Sequence, residues 1–108
     1  MTEQTTVFAR RLREARKRAG LTQEQMAASA GIDEFSASAR VSQYETGKHV
    51  PRYEIAINLA KALHVPVEYF YASDNQTAEM LLLWGTLSRS ERSELLTSLR
   101  VNLATLKV

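Results

Sequence analysis

Apolar residues along this chain recur at helical spacing, and the sustained apolar–polar alternation of a half-buried strand is missing. Val7 or Phe8, then Leu12, Ala15 and Ala19, mark one face of a first helix, which Gly20 stops. LTQEQMAASAG follows, with Thr22 placed to N-cap a second helix and Gln25 three residues on as its capping-box partner. Met26, Ala27 and Ala30 give that helix a short apolar face, and Gly31 ends it. A third helix is predicted from Ser36 or Ser38 to Thr46, with Val41 and Tyr44 facing the core and Gly47 as the stop. Pro51 opens a fourth helix, where Ala56, Leu59, Ala60 and Leu63 recur at i, i+3, i+4 and i+7. His64-Val65-Pro66 breaks it, and VEYFYA adds one short turn.

The composition then changes. SDNQT (73–77) is polar and turn-prone, a linker or a helix cap. Beyond it, Ala78, Met80, Leu81, Leu83 and Trp84 predict a helix of about ten residues, by the same periodicity. Ser88 and Glu91 form a second capping-box candidate before a longer helix with Leu95, Leu96, Leu99, Leu103 and Leu106 on one side. The pattern therefore divides into residues 1–72, with five helices, and an extension, residues 73–108, with two more.

Composition narrows the function classes. A 108-residue chain suggests one compact domain with an appendage. It has no cysteine, which excludes disulfides and thiolate metal sites. His49 and His64 lack further ligands at useful spacing, so no metal and no cofactor are expected. No nucleophile elbow or phosphate-cradling glycine loop is present, so an enzyme is not expected. The N-terminus lacks an uninterrupted apolar segment and no run approaches the ~20 residues of a membrane span, so a cytoplasmic location is expected. Net charge is only +2, but the run RRLREARKR (10–18) holds six basic residues and one acid. Such a stripe is either a nucleic-acid footprint or a solvated helix face.

Two short helices joined near a glycine and flanked by further helices fit a helix-turn-helix. Leu-Thr-Gln at 21–23, Ala27, Gly31, Val41-Ser-Gln-Tyr-Glu-x-Gly-Lys, Pro51, Leu59-Ala-Lys-Ala-Leu63 and Val65-Pro66 together resemble the XRE or Cro/phage-repressor helix-turn-helix family, over about residues 8–72. The resemblance implies an all-α, five-helix lambda-repressor-like domain. Its second helix lies over the DNA backbone and its third enters the major groove. Thr22 and Gln23 then stand where the second helix meets a phosphate. Ser36, Ser38 and Ala39 form the close-approaching tip of the third helix, with Ala39 available to a thymine methyl. Arg40 suits a guanine or a phosphate equally, Gln43 suits an adenine, and Ser42 is exposed beside them. Lys48, His49 and Arg52 are placed to meet phosphates beside the groove. By the same resemblance, Arg16 pairs with Glu45 and cross-links the first and third helices.

One feature departs from the family. Gly31 and Tyr44 are thirteen residues apart, about four more than usual, which is roughly one helical turn. The extra residues either extend the third helix or bulge the turn. In the extension, Met80, Leu83, Trp84, Leu95, Leu96, Leu99, Leu103 and Leu106 suit dimerisation or packing on the domain. The expected function is a sequence-specific regulator of transcription, a repressor, binding double-stranded DNA at a pseudo-palindromic operator as a homodimer. An antitoxin that binds a toxin protein and its own promoter is the alternative. A third reading keeps the fold without DNA, as a protein-binding domain.

Overall fold

A computed structural model describes residues 3–33 and 35–106, with side chains from residue 7. Six α-helices and one 3-10 turn, with no strand, make up these residues. The helices are α1 (Glu3–Ala19), α2 (Gln23–Ser29), α3 (Ala37–Thr46), α4 (Tyr53–Leu63), α5 (Asn75–Thr86) and α6 (Arg89–Leu106), with the 3-10 turn Val67–Tyr71 between α4 and α5. This is the all-α, lambda-repressor-like fold expected from the sequence.

Local chemistry sets the boundaries. The Thr22 hydroxyl accepts the Gln25 N–H at 3.0 Å while Gln25 Oε1 accepts the Thr22 N–H at 2.9 Å, which closes the capping box of α2. Gly47 ends α3 at φ 80°, a left-handed conformation costly for a residue with a Cβ. His64 does the same for α4 at φ 57°, without being glycine. Pro51 is not at a helix start. It is buried two residues before α4 begins.

The core gathers Phe8, Leu12, Met26, Val41, Leu59 and Phe70, each at most 1% exposed. Ala27, Ala56 and Ala60 are buried between them, where a larger side chain would hold the helices apart. Val7 and Phe8 are both buried, whereas Ala19 is exposed at the end of α1 and takes no part in the apolar face. The 3-10 turn is central rather than incidental. Tyr69 and Phe70 are buried, and the Phe70 ring meets Phe8 with centroids 5.0 Å apart.

The basic run of α1 serves the fold as much as the surface. Arg11 is buried at 3% exposure; its Nε donates to the Ala72 carbonyl at 2.9 Å, and its terminal nitrogens donate to Glu14 and Asn75, each at 3.1 Å. Arg10 donates to the Ser73 carbonyl at 3.2 Å, and Arg18 donates to the Tyr69 hydroxyl at 3.3 Å with its guanidinium 5.6 Å from that ring's centroid. A buried guanidinium is tolerable only when its donors are satisfied. Arg11 meets that condition and ties α1 to the start of α5.

α5 starts in the core and leaves it. Ala78 is 3% exposed, Leu81 and Leu82 pack against the core, and Gly85 brings α5 onto Pro66, so close that a Cβ there would sit 3.1 Å from the proline Cγ. No residue of α6 is buried. Leu96, Leu99, Leu103 and Leu106 are exposed and recur at the 3-4-3 spacing of a helix seam.

SDNQT proves to be a cap. Asp74 accepts the Thr77 hydroxyl at 2.7 Å and the Thr77 N–H at 2.8 Å, and these bonds hold its carboxyl below the ordinary 3.8. Ser88 and Glu91 form a capping box, and the bonds from Ser88 hold the Glu91 carboxyl below the ordinary 4.5. A carboxyl lowered by folding stabilises above its unfolded pKa, and that contribution is lost as pH falls through the folded value. The thermal midpoint of the native chain is therefore expected to drop more steeply below pH 4.5 than that of the Asp74→Asn, Glu91→Gln variant. Parallel thermal melts across that window check it.

Candidate nucleic-acid interface

α3 has two sides with different jobs. Ala37, Val41 and Tyr44 are buried against the core. Glu45, on the same side, is 6% exposed and meets Arg16 of α1 in a two-point pair: Nε donates to one carboxylate oxygen at 2.5 Å and a terminal nitrogen donates to the other at 3.0 Å. Arg16 also donates to the Leu21 carbonyl at 3.0 Å, and Gln23 Nε2 donates to Glu45 at 3.2 Å. The Glu45 carboxylate, by hydrogen bond and charge, raises the Arg16 pKa above its ordinary value, with burial working the other way. α1, the first turn of α2 and α3 are thus locked at one point.

The other side of α3 is open. At 3.6 residues per turn, Ala39, Gln43 and Thr46 lie opposite the buried seam. Ser38, Ala39 and Arg40 are exposed, and Ser42 and Gln43 are half-buried. Ser38 and Ser42 border an open concavity of about 950 Å³ that they share with Gln23 and Ala28 of α2. Arg40 lies on the far flank. After Gly47, the loop to α4 exposes Lys48, His49 and Arg52, and the His49 N–H donates to the Gln43 carbonyl at 3.3 Å. That bond ties the loop with its exposed Lys48, His49 and Arg52 to the C-terminal half of α3.

The side chains of Thr22 and Gln23 make intramolecular hydrogen bonds beside the roles expected of them, and that of Ser36 makes no cap bond. The Thr22 hydroxyl oxygen accepts the α2 cap bond, which leaves its O–H free to donate. Gln23 is half-buried and gives one amide hydrogen to Glu45, keeping the other free. Ser36 sits half-buried at the N-cap position of α3 without a side-chain cap bond. The four extra residues lengthen the turn, not the helix. α3 starts only at Ala37, and the Ser36 N–H before it donates to the Asp33 carbonyl at 3.1 Å.

The helix-turn-helix domain family matches residues 7–69, from the first core residue of α1 to the 3-10 turn. The chain belongs to that family. The helix-turn-helix unit is α2, the lengthened turn and α3. The solved crystal structure of the transcriptional regulator BswR is 39% identical to this helix-turn-helix chain, with a TM-score of 0.82 over 90% of this chain and 96% of BswR. That coverage extends beyond the domain into the C-terminal helices. No curated protein matches the chain significantly. Among the described residues, no helix is long and apolar enough to cross a membrane.

Proposed function

We propose that this helix-turn-helix protein is a DNA-binding regulator of transcription, a repressor that occupies a pseudo-palindromic operator as a homodimer. The observation that carries the reading is the division of α3. Val41, Tyr44 and the Arg16–Glu45 pair fix one side, leaving Ala39, Arg40, Ser42 and Gln43 on the accessible side with Lys48, His49 and Arg52 beyond. Recognition helices read base edges with their N-terminal residues, and small side chains there permit close approach. Gln43 suits an adenine edge, and Arg40 a guanine or a phosphate. The loop cations suit phosphates, which position the protein without specifying sequence. The likeness to BswR, a transcriptional regulator, supports the role.

Duplexes selected from a random library by the full chain test the proposal. Binding is expected to be sequence-selective and to weaken steeply as salt rises from about 50 to 200 mM. Absence of duplex binding would overturn it. Gln43→Ala is expected to cost ~1–3 kcal/mol on the selected operator and little on random DNA. Lys48→Ala is expected to weaken both alike and to reduce the salt slope by about 1. Equal losses on random DNA for both variants would remove Gln43 from base reading.

The exposed leucine seam of α6 supports the homodimer, since one helix-turn-helix reads only a half-site. The same exposed stripe is what an antitoxin would offer a toxin. A stoichiometric small protein co-purifying from the native host, in place of a self-dimer, would favour that second reading.

A further inference from the structure

Phe35 is 101% exposed, the most exposed large apolar side chain among the described residues. It lies in the lengthened turn, two residues before α3 begins. Its backbone is held: the Phe35 N–H donates to Asp33 Oδ1 at 3.2 Å, and the next N–H, of Ser36, donates to the Asp33 carbonyl at 3.1 Å. The ring borders the same open concavity as Gln23, Ala28, Ser38, Ala39 and Ser42. It therefore stands at the N-terminal tip of α3, on the side where α2 and α3 converge. Burying a phenyl ring is favourable, so leaving it in water is a cost to the free protein.

We propose that Phe35 is a base-reading residue that packs against the 5-methyl group of a thymine at the edge of each half-site. The inference rests on α3 entering the major groove. The chemistry of the turn chooses a base over the backbone. Residues 31–36, GIDEFS, carry no cation to hold a phosphate, and Asp33 Oδ1 accepts the Phe35 N–H. The thymine methyl is the apolar feature of the major groove, and it is read by alanine, threonine methyl and phenylalanine contacts. Ala39, exposed on the adjacent turn of α3, extends the same apolar edge. The four-residue lengthening of the turn thus adds a reading element at the tip of the helix instead of lengthening the helix.

The test compares the native chain with Phe35→Ala. Because the ring touches solvent, the variant is expected to melt at the native temperature. Each protein selects duplexes from a random library, and affinities are then measured on the native consensus and on a scrambled duplex. Phe35→Ala is expected to bind the consensus roughly tenfold more weakly and the scrambled duplex equally, with its preference relaxed at one T·A pair per half-site. Uracil in place of that thymine removes only the methyl group. It is expected to cost the native chain about fourfold and the variant nothing. Identical consensus and affinity for the two proteins would overturn the inference while leaving α3 as the reader, and so would a uracil penalty shared by both. A native chain that selects no sequence would overturn the DNA reading itself, and this inference with it.

Discussion

Replacing Arg16 by alanine is expected to lower the stability of the fold by about 3–5 kcal/mol. The reason is what remains. The Glu45 side chain is 3% exposed, and without Arg16 its charge stays buried with only the Gln23 amide as partner. The Leu21 carbonyl also loses its donor. An exposed ion pair of similar geometry would contribute ~0–1 kcal/mol, so the size of the loss distinguishes a buried pair from a surface one. At about 4–8 °C per kcal/mol for a domain of this size, the thermal midpoint should fall by more than 10 °C. Replacing both partners by apolar residues, Arg16→Met with Glu45→Leu, is expected to recover most of the loss, because no buried charge is then left unpaired. A loss under ~1 kcal/mol in Arg16→Ala would place the pair among solvated surface pairs. A double variant no more stable than the single would show that orientation of α3, not charge burial, sets the cost.

The residues that repeat a local rule were legible in the sequence. Thr22 with Gln25 and Ser88 with Glu91 announce their helix starts because capping couples side chains three residues apart. Val41 and Tyr44 announce a buried seam because the helical period depends on nothing outside the helix. Arg11 had no such signal. It reads as one more member of a basic run, and its partners, Ala72 and Asn75, lie more than sixty residues away. Whether an arginine is solvated or buried depends on tertiary partners that charge counting does not contain. The same holds for Gln23, whose tie to Glu45 exists only once α2 and α3 are packed. The place of the four extra residues was also open, since four residues make about one helical turn and fit either a longer helix or a longer turn. Ile32, buried at 7% with its N–H donated to the Ala27 carbonyl at 2.9 Å, anchors the end of α2, and Ala37 anchors the start of α3. The surplus is left between those anchors, which leaves Phe35 in solvent. A lone phenylalanine in a polar turn was the one available hint.

Leu99→Asp combined with Leu103→Asp is expected to abolish dimerisation and weaken operator binding by about 10²–10⁴-fold while leaving the domain folded. The separation of effects follows from where α6 sits. None of its residues is buried, and Leu99 and Leu103 are 39% and 49% exposed, so the substitutions remove no core contact. The thermal midpoint of the core should therefore hold. In a dimer the two leucines would lie in the 3-4-3 seam with Leu96 and Leu106, and a carboxylate in such a seam is desolvated opposite its own copy. In the proposed dimer two half-site contacts bind as one, and losing it would separate them. The second contact then forms at the bulk protein concentration and no longer at the millimolar effective concentration that linkage supplies. Binding to an isolated half-site should be unchanged, because neither substitution lies in α3 or its loop. Sedimentation equilibrium paired with titrations on whole and half operators measures all three quantities. A variant that still sediments as a dimer, or a native chain that is monomeric both free and bound at operator-saturating concentration, would remove α6 from the dimer interface. A monomeric variant with undiminished operator affinity would show that the two half-sites are read independently.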